Sequence, residues 1–238
     1  RYSIFAACSS GVDLHLMEKE HGFHTHSLIE WRATEKRDKR DLTETGALAA
    51  LRNIKAGIKN LFNEDITYIS SSMLEDVMRN DPAMVFMASP QCDDYTVIKA
   101  NKLKDLHYED MTSTMDMALD MYRVIMSIKP PVIKFEQVTG WYTSDAYKIL
   151  SLRLRKMGYK ENLLIDNANN YGGLTGRTRG YAVFTMLDAP FYFEEAIGPR
   201  TESIWPIVEK HLADCRNVSH SKSIQDGKKC GRLRTITP

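Results

Sequence analysis

The chain has 238 residues, of which 43% are hydrophobic and 26% are charged, and its formal net charge is +1 at pH 7. This length accommodates one large domain or one and a half ordinary ones, and the composition is that of a soluble globular protein. No apolar run approaches the ~18 residues of a membrane span, and no secretory signal is recognisable. The balanced charge argues neither for nor against a nucleic-acid partner.

Cysteine usage bears on the cellular setting and on metal binding. The four cysteines show neither the spacing of metal ligands nor a dense disulfide framework. The sequence therefore predicts no metal site and a reducing, cytoplasmic environment. The cysteines are Cys8, Cys92, Cys215 and Cys230.

The first predicted element is a strand over residues 2–7, followed by small residues through Gly11 and a helix over residues 12–21. A strand, a small-residue turn and a helix form the pattern that cradles a phosphate or a cofactor. A plain turn is an equally weighted alternative, because Gly11 is the one glycine where dinucleotide-binding loops have three.

The second predicted strand, residues 25–30, ends at Glu30, ~20 residues after that turn, and Trp31 follows it. An acidic residue at this point is placed to accept hydrogen bonds from ribose hydroxyls. Trp31 either stacks on a purine or packs in the protein.

An amphipathic helix is predicted over residues 43–61, and a third strand over residues 66–70. Asp65 and Ile66 then stand beside that strand, where an adenine would be met. An ordinary turn acid is the alternative for Asp65, with equal weight.

The fourth predicted strand, residues 83–88, delivers Cys92 just beyond its end, because Pro90 stops the ladder. In an open α/β sheet, ligands bind at the edge where parallel strands end. A buried structural thiol is the alternative, since free cysteine is among the most buried residue types.

A polar segment over residues 97–110 is predicted to be a mobile surface loop, and residues 111–128 a Met-rich helix whose methionines fill the core. The strand over residues 131–136 then brings Glu136 near its carboxyl end. That carboxylate is either a salt-bridge partner or a proton donor to a bound base.

Arg177 and Arg179 occupy alternate positions of an extended segment, so their side chains point the same way. This arrangement suits the binding of a phosphate, a carboxylate or a base carbonyl. The remaining predicted elements are helices at 144–156 and 203–215 and strands at 161–166 and 181–186. The alternation of seven strands with helices predicts an α/β domain with a mostly parallel, Rossmann-like sheet.

In their order along the chain, these motifs resemble those of DNA cytosine carbon-5 methyltransferases, which use S-adenosyl-methionine. Residues 5–11 stand at the place of the family's Phe-x-Gly-x-Gly loop, with Ala and Ser for the glycines and one extra residue. Residues 89–92, Ser-Pro-Gln-Cys, resemble the Pro-Pro-Cys motif, with Gln91 for the second proline. Residues 136–138, Glu-Gln-Val, stand for Glu-Asn-Val.

Two later segments extend the resemblance, which covers residues 3–186 and the last few. Residues 167–179 resemble the family's Asn-Ala-x-x-Tyr-Gly segment followed by Gln-x-Arg-x-Arg, with Thr175 in place of the glutamine. Residues 234–238 look like the opening of the Arg-x-Leu-Thr motif.

The resemblance implies a methyltransferase with Cys92 as nucleophile, acting on a flipped-out cytosine in double-stranded DNA. It implies that Glu136 binds the base and that Arg177 and Arg179 orient it. The implied cofactor is S-adenosyl-L-methionine, and the implied setting is prokaryotic or phage. The implied cofactor-binding residues are Phe5, Ala7, Ser9, Gly11, Glu30, Trp31, Asp65, Ile66 and Pro90.

The same resemblance divides the chain into a catalytic cofactor-binding domain at 1–186, a short or incomplete target-recognition region at 187–230 and the start of a returning motif at 231–238. Because the family's final motif is absent, we expect a fragment or a subset of a longer protein. Two other functions remain open: methylation of RNA cytosine, and a methyltransferase-like protein that binds nucleic acid or a partner without catalysis.

Overall fold

Seven strands form a single sheet in the order β3-β2-β1-β4-β5-β7-β6. The computed structural model describes residues 2–9, 12–30, 58, 60–62, 64–90, 92, 95, 113–173 and 175–199. Strand β7 runs antiparallel to both of its neighbours, and the other pairings are parallel. The strands are β1 (Ser3–Ala7), β2 (His24–Ile29), β3 (Asn60–Phe62), β4 (Val85–Ala88), β5 (Val132–Gln137), β6 (Lys160–Asn167) and β7 (Thr178–Thr185). The mostly parallel, seven-stranded α/β sheet is therefore confirmed.

Helices connect most of these strands. The described α-helices are α1 (Val12–His21), α2 (Ser71–Met78), α3 (Ser113–Ile128) and α4 (Asp145–Lys156). Short 3₁₀ helices lie at Ile66–Tyr68, Thr139–Thr143 and Ala168–Asn170. Within the described residues, no helix is long and apolar enough to cross a membrane.

A row of phenylalanine side chains runs across one face of the sheet. The ring centroids of Phe5 and Phe86 lie 6.1 Å apart, and those of Phe86 and Phe135 lie 6.3 Å apart. Phe184 continues the row at 6.2 Å from Phe135. Helices α2, α3 and α4 pack on this face and bury it. The strands can be uninterrupted runs of apolar residues because the adjacent strands and these helices keep water away from them.

The opposite face is covered over β1 and β2 by helix α1. Ile4, Ala6 and Leu28 are buried there with Leu14 of α1, and Met17 packs against them. The alternation along β5 shows the two faces directly, since Ile133 and Phe135 are fully buried and Lys134 and Glu136 are half-buried.

The predicted third strand at 66–70 is wrong. Residues Ile66–Tyr68 form a 3₁₀ helix that Asp65 caps, its carboxylate accepting from the Thr67 backbone N–H at 3.0 Å. The carbonyls of Ile66 and Ile69 accept from the guanidinium of Arg123 at 2.6 and 2.5 Å. Because these groups are bound by a cap and by α3, they do not join a strand ladder, although the segment has high β propensity.

The third strand lies earlier, at Asn60–Phe62, where the sequence analysis predicted the end of a helix over 43–61. This strand pairs in parallel with β2. A segment of three residues fits the period of a helix as well as that of a strand. The pairing with β2 therefore decides that it is a strand. Trp31, most of the predicted helix, the loop at 97–110 and everything from residue 200 onward lie outside the described residues.

Glycine is required at position 180, where β7 passes over Tyr142. The Tyr142 hydroxyl donates to the Gly180 carbonyl at 2.6 Å, and a Cβ at this position would overlap the tyrosine ring. We expect Gly180→Ala to lower the free energy of unfolding by about 1–3 kcal/mol, as overpacking does. Thermal or urea denaturation measures this. Gly176→Ala is the matched control, because no atom lies within 4 Å of its added methyl; equal losses in the two variants would contradict the packing.

Candidate active site at the carboxyl edge of the sheet

Four parallel strands end at one edge of the sheet, and the segments that follow them carry most of the predicted site residues. Cys8 and Ser9 follow β1, Glu30 follows β2, the segment 89–92 follows β4, and Glu136 is the fifth residue of β5. The sheet therefore brings together residues that are up to about 130 positions apart in sequence.

Glu136 is held by charge from the antiparallel strand beside it. Its Oε1 atom lies 3.2 Å from Nε of Arg179 and 3.9 Å from Nη2 of Arg177. The side chains of Glu136 and Arg179 are 26% and 23% exposed, whereas that of Arg177 is 58% exposed. Both arginines face the same carboxylate, in agreement with their alternate positions in the extended segment.

Ser89 supplies a second contact to the same carboxylate. Its hydroxyl donates to Oε2 of Glu136 at 3.2 Å. Since Ser89 is the residue after β4, this bond links the segment that carries Cys92 to the end of β5. Both carboxylate oxygens are therefore engaged, which restricts the orientation of the group.

Gln137, on the opposite face of β5 from Glu136, binds the segment that carries Cys92. Its side-chain amide donates to the Pro90 carbonyl at 2.5 Å, and its side-chain oxygen accepts from the Val138 backbone N–H at 2.6 Å. Gln137 is 3% exposed, so both contacts lie in the interior. A polar side chain buried on the core face of a strand must find partners, and this signal was present in the sequence.

The turn after Cys92 packs closely against the segment after β5. The Tyr95 backbone N–H donates to the Cys92 carbonyl at 3.0 Å. A Cβ at Gly140 would lie 2.7 Å from the Tyr95 carbonyl oxygen, so this position accommodates only glycine. Cys92 itself is half-buried. Gly140 and Gln137 thus fix the segment, and neither was singled out from the sequence as a site residue.

A small polar cleft joins the turn after β1 to the Glu136 carboxylate. Ser9 and Asp13 line it on one side, with the Ser9 hydroxyl donating to Asp13 at 2.5 Å. Ser89, Lys134 and Glu136 line it on the other side. The predicted cofactor turn and the predicted catalytic carboxylate therefore open onto one space. Asp13 and Lys134 are additions that the sequence analysis did not make.

The turn after β1 has an unusual backbone at Cys8. Cys8 adopts a φ of 56°, in the left-handed region that favours glycine, and its N–H donates to the Ile29 carbonyl at 2.9 Å. The pKa of the Cys8 thiol is raised to about 12, mainly by burial and also by the negative charges of Glu30 and Asp65. Glu30 and Asp65 thus approach the same turn.

The other predicted cofactor residues differ in their accessibility. Phe5, Ala7 and Ile66 are buried at 0%, 0% and 4% exposure and belong to the hydrophobic core, and Ala7 also lines the cleft. Pro90 is also buried. Gly11 and Trp31 lie outside the described residues, as does Gln91 in the cysteine motif.

No protein-family model matches the sequence, and no curated protein matches it. Solved structures do share its fold. A methyltransferase of Entamoeba histolytica, EhMeth, has a TM-score of 0.61 at 20% identity, with 85% of this chain and 58% of that chain covered. Dnmt2 methyltransferase of S. pombe has a TM-score of 0.57 at 16% identity, with 80% and 52% covered.

A third structure, assigned as a DNA modification methyltransferase encoded within a prophage (E. coli), has a TM-score of 0.56 at 18% identity and covers 78% of this chain and 47% of its own. The chain thus spans about half the length of the structures it matches. At these identities the likeness establishes the fold, which is one that methyltransferases have.

The environment of Cys8 predicts a protected thiol. Because the thiolate is the reactive species, a pKa of about 12 leaves Cys8 protonated at pH 8. We expect iodoacetamide to modify Cys8 at least about a hundredfold more slowly in the native protein than in urea. Mass spectrometry of the peptide containing residues 2–9 measures both rates. Modification at the unfolded rate in native protein would contradict the placement of this thiol.

Proposed function

We propose that this chain is the catalytic part of a methyltransferase that transfers a methyl group from S-adenosyl-methionine to carbon 5 of a flipped-out cytosine in double-stranded DNA. The observation that carries the proposal is the Glu136 carboxylate, held by Arg179 and Ser89 at the same edge as the Cys92 segment. A carboxylate with a fixed orientation is suited to recognise the edge of a base by hydrogen bonds.

Cytosine carbon 5 is a weak nucleophile, and the proposed role of Cys92 is to activate it. The Cys92 thiolate adds to carbon 6 of the ring, forming an S–C6 bond and making carbon 5 nucleophilic. Glu136 hydrogen-bonds the ring N3 and the exocyclic amine and stabilises the protonated adduct. Carbon 5 would then take the methyl group of S-adenosyl-methionine, whose S–CH3 bond breaks to leave S-adenosyl-homocysteine. Loss of the carbon-5 proton to solvent restores the C5=C6 double bond as the S–C6 bond breaks and the Cys92 thiolate is released.

The residues at the turn after β1 fit the proposed cofactor. Glu30 follows β2 and approaches the Cys8 turn, where a carboxylate accepts hydrogen bonds from ribose hydroxyls. Asp65 approaches the same turn, although its Oδ1 atom also caps a 3₁₀ helix. When bound, S-adenosyl-methionine would supply an electrophilic methyl group on its sulfonium.

A second function, binding without catalysis, is supported by one observation. A cysteine occupies the left-handed position of the turn after β1, and the negative charges of Glu30 and Asp65 contribute to the raised pKa of its thiol. A side chain there takes up space that a glycine would leave open. The observation weighs against tight cofactor binding, whereas the Glu136 cluster supports catalysis.

Cofactor binding is tested by ligand-dependent stability. A ligand present at 100 times its dissociation constant adds about 2.7 kcal/mol to the free energy of unfolding. We expect S-adenosyl-homocysteine to raise the Tm of the wild-type protein and to raise that of Glu30→Ala much less. Glu20→Ala is the control, because Glu20 is an exposed residue of α1. Equal shifts in all three proteins would remove Glu30 from the cofactor site.

The covalent step is tested with DNA in which 5-fluorocytosine replaces every cytosine, so that the target sequence need not be known. Fluorine does not leave as a proton does, and the S–C6 adduct therefore accumulates. We expect a denaturing gel to show the adduct for wild-type protein with S-adenosyl-methionine, a slower adduct for Glu136→Gln and none for Cys92→Ser.

Parallel reactions separate the alternatives. An adduct with 5-fluorocytosine RNA and none with DNA would assign the chain to RNA. Cofactor binding with no adduct on either polymer would favour the binding protein and would contradict the role of Cys92.

A further inference from the structure

The sheet ends at β6 on one side, and this edge strand is long. Strand β6 (Lys160–Asn167) has eight residues, whereas β3 at the other edge has three. Among the described residues, the pairing partners of β6 all lie on β7. A long edge strand presents a row of backbone N–H and C=O groups to which another strand can bind.

The hydrogen bonds to β7 show which backbone groups of β6 point outward. The ladder continues one residue beyond β6, where the Ala168 N–H donates to the Arg177 carbonyl at 3.0 Å in the same register. In antiparallel strands hydrogen-bonded pairs alternate with non-bonded pairs, so the even-numbered residues of β6 bind β7. The backbone groups of the odd-numbered residues therefore point away from the sheet. These residues are Glu161, Leu163, Ile165 and Asn167.

The side chains at the centre of this edge are apolar. Leu163 and Ile165 are 43% and 48% exposed. They lie on the same face of β6 as Glu161, whose carboxylate accepts a hydrogen bond from the Ser151 hydroxyl of α4 at 2.7 Å. The centre of the edge thus combines outward-pointing backbone groups with exposed apolar side chains, which is the surface that the addition of a strand requires.

We propose that β6 pairs with β6 of a second copy of the chain, antiparallel and with Leu163 opposite Leu163 at the two-fold axis. In this register the outward groups of Glu161 bind those of Ile165 in the second copy, and the two-fold repeats the contact. Every outward group at the centre of the edge is then used. The pairing does not rest on the proposed methyl transfer.

Charge complementarity favours this register. Lys160 falls opposite Asp166 of the second copy, and the two-fold axis repeats this pair of opposite charges. Within its own chain Lys160 contacts Asp188 at 3.2 Å. Both of those side chains are exposed, so this ion pair contributes little and does not hold Lys160 in place.

The register centred one residue later, on Leu164, is less favourable. It would require the outward N–H of Asn167, which the Asp166 carboxylate already binds at 2.7 Å. It would also place Lys160 opposite Ala168, so the pair of opposite charges would be lost.

Sedimentation equilibrium of the full chain tests the pairing. We expect a monomer–dimer equilibrium, and we expect Leu163→Lys to raise the dissociation constant of the dimer at least about tenfold, because it places like charges opposite each other at the two-fold axis. Leu119→Lys is the matched control, since Leu119 lies on α3 and is 42% exposed. The control should leave the dissociation constant unchanged.

Substitutions at Ile165 test the register itself. Ile165 lies opposite Glu161 of the second copy, so Ile165→Glu would bring like charges together and Ile165→Lys opposite charges. We expect Ile165→Glu to raise the dissociation constant at least about tenfold more than Ile165→Lys does. Equal effects, or the reverse order, would overturn the proposed pairing.

Amide hydrogen exchange resolved by residue reports on the edge directly. We expect the amides of Glu161, Leu163 and Ile165 to exchange at least about tenfold more slowly in the dimer than in the dilute monomer. The amides of the even-numbered residues bind β7 and should be protected in both states, which also shows whether each variant is folded. If Leu163→Lys loses that protection, Ile165→Glu is measured in its place.

Three further results would overturn the pairing. The first is wild-type protein that stays monomeric at its highest soluble concentration. The second is a dimer that Leu163→Lys and Leu119→Lys weaken equally. The third is protection of the outward amides of β6 in the monomer, because residues of the same chain would then occupy the edge.

Discussion

The ion pair between Glu136 and Arg179 is the contact on which the candidate site depends. Its energy is modest, because a partly exposed ion pair contributes about 1 kcal/mol or less. Its importance is positional: it fixes a carboxylate at the point where β4 and β5 end and where the Cys92 segment begins. Ser89 engages the other oxygen of the same group, so the carboxylate connects three parts of the chain.

That ion pair exists because β7 is antiparallel to β5. The register pairs Glu136 with Tyr181 and Gln137 with Gly180, which leaves Arg179 diagonal to Glu136 on the same face. Gly180 admits the ring of Tyr142, whose hydroxyl binds the Gly180 carbonyl. Burial and the nearby Glu136 carboxylate raise the pKa of the Tyr142 hydroxyl, so it remains a hydrogen-bond donor. Packing in the core thus sets the position of a residue at the edge.

Most strands could be predicted from the sequence, because their apolar runs are bounded by prolines and polar turns, as at β4 and β5. The failure at residues 66–70 has a specific cause. The segment has the composition of a strand, but Asp65 and Arg123 bind its backbone groups, and Arg123 is distant in sequence. Local pattern does not reveal a partner on another helix.

The site residues divide in the same way. Glu136, Arg179 and Cys92 could be selected from their positions at strand ends, whereas the contacts of Gln137 and Gly140 depend on how the loops meet. The Gln137 amide donates a hydrogen bond to the Pro90 carbonyl, and the Tyr95 carbonyl packs against Gly140 where a side chain would otherwise lie. Each contact joins residues that are 40 or more positions apart in sequence. The cofactor turn was predicted as a glycine-poor loop, and the structure adds the left-handed backbone at Cys8.

Release of tritium from carbon 5 of cytosine measures the proposed covalent methyl transfer itself. DNA of mixed sequence that carries tritium at carbon 5 of cytosine is incubated with the protein and S-adenosyl-methionine, and tritium in water is counted. We expect one tritium to be released for each 5-methylcytosine formed, with release abolished in Cys92→Ser and strongly reduced in Arg179→Ala. Wild-type protein that binds S-adenosyl-methionine and DNA but releases no tritium would contradict the proposed transfer.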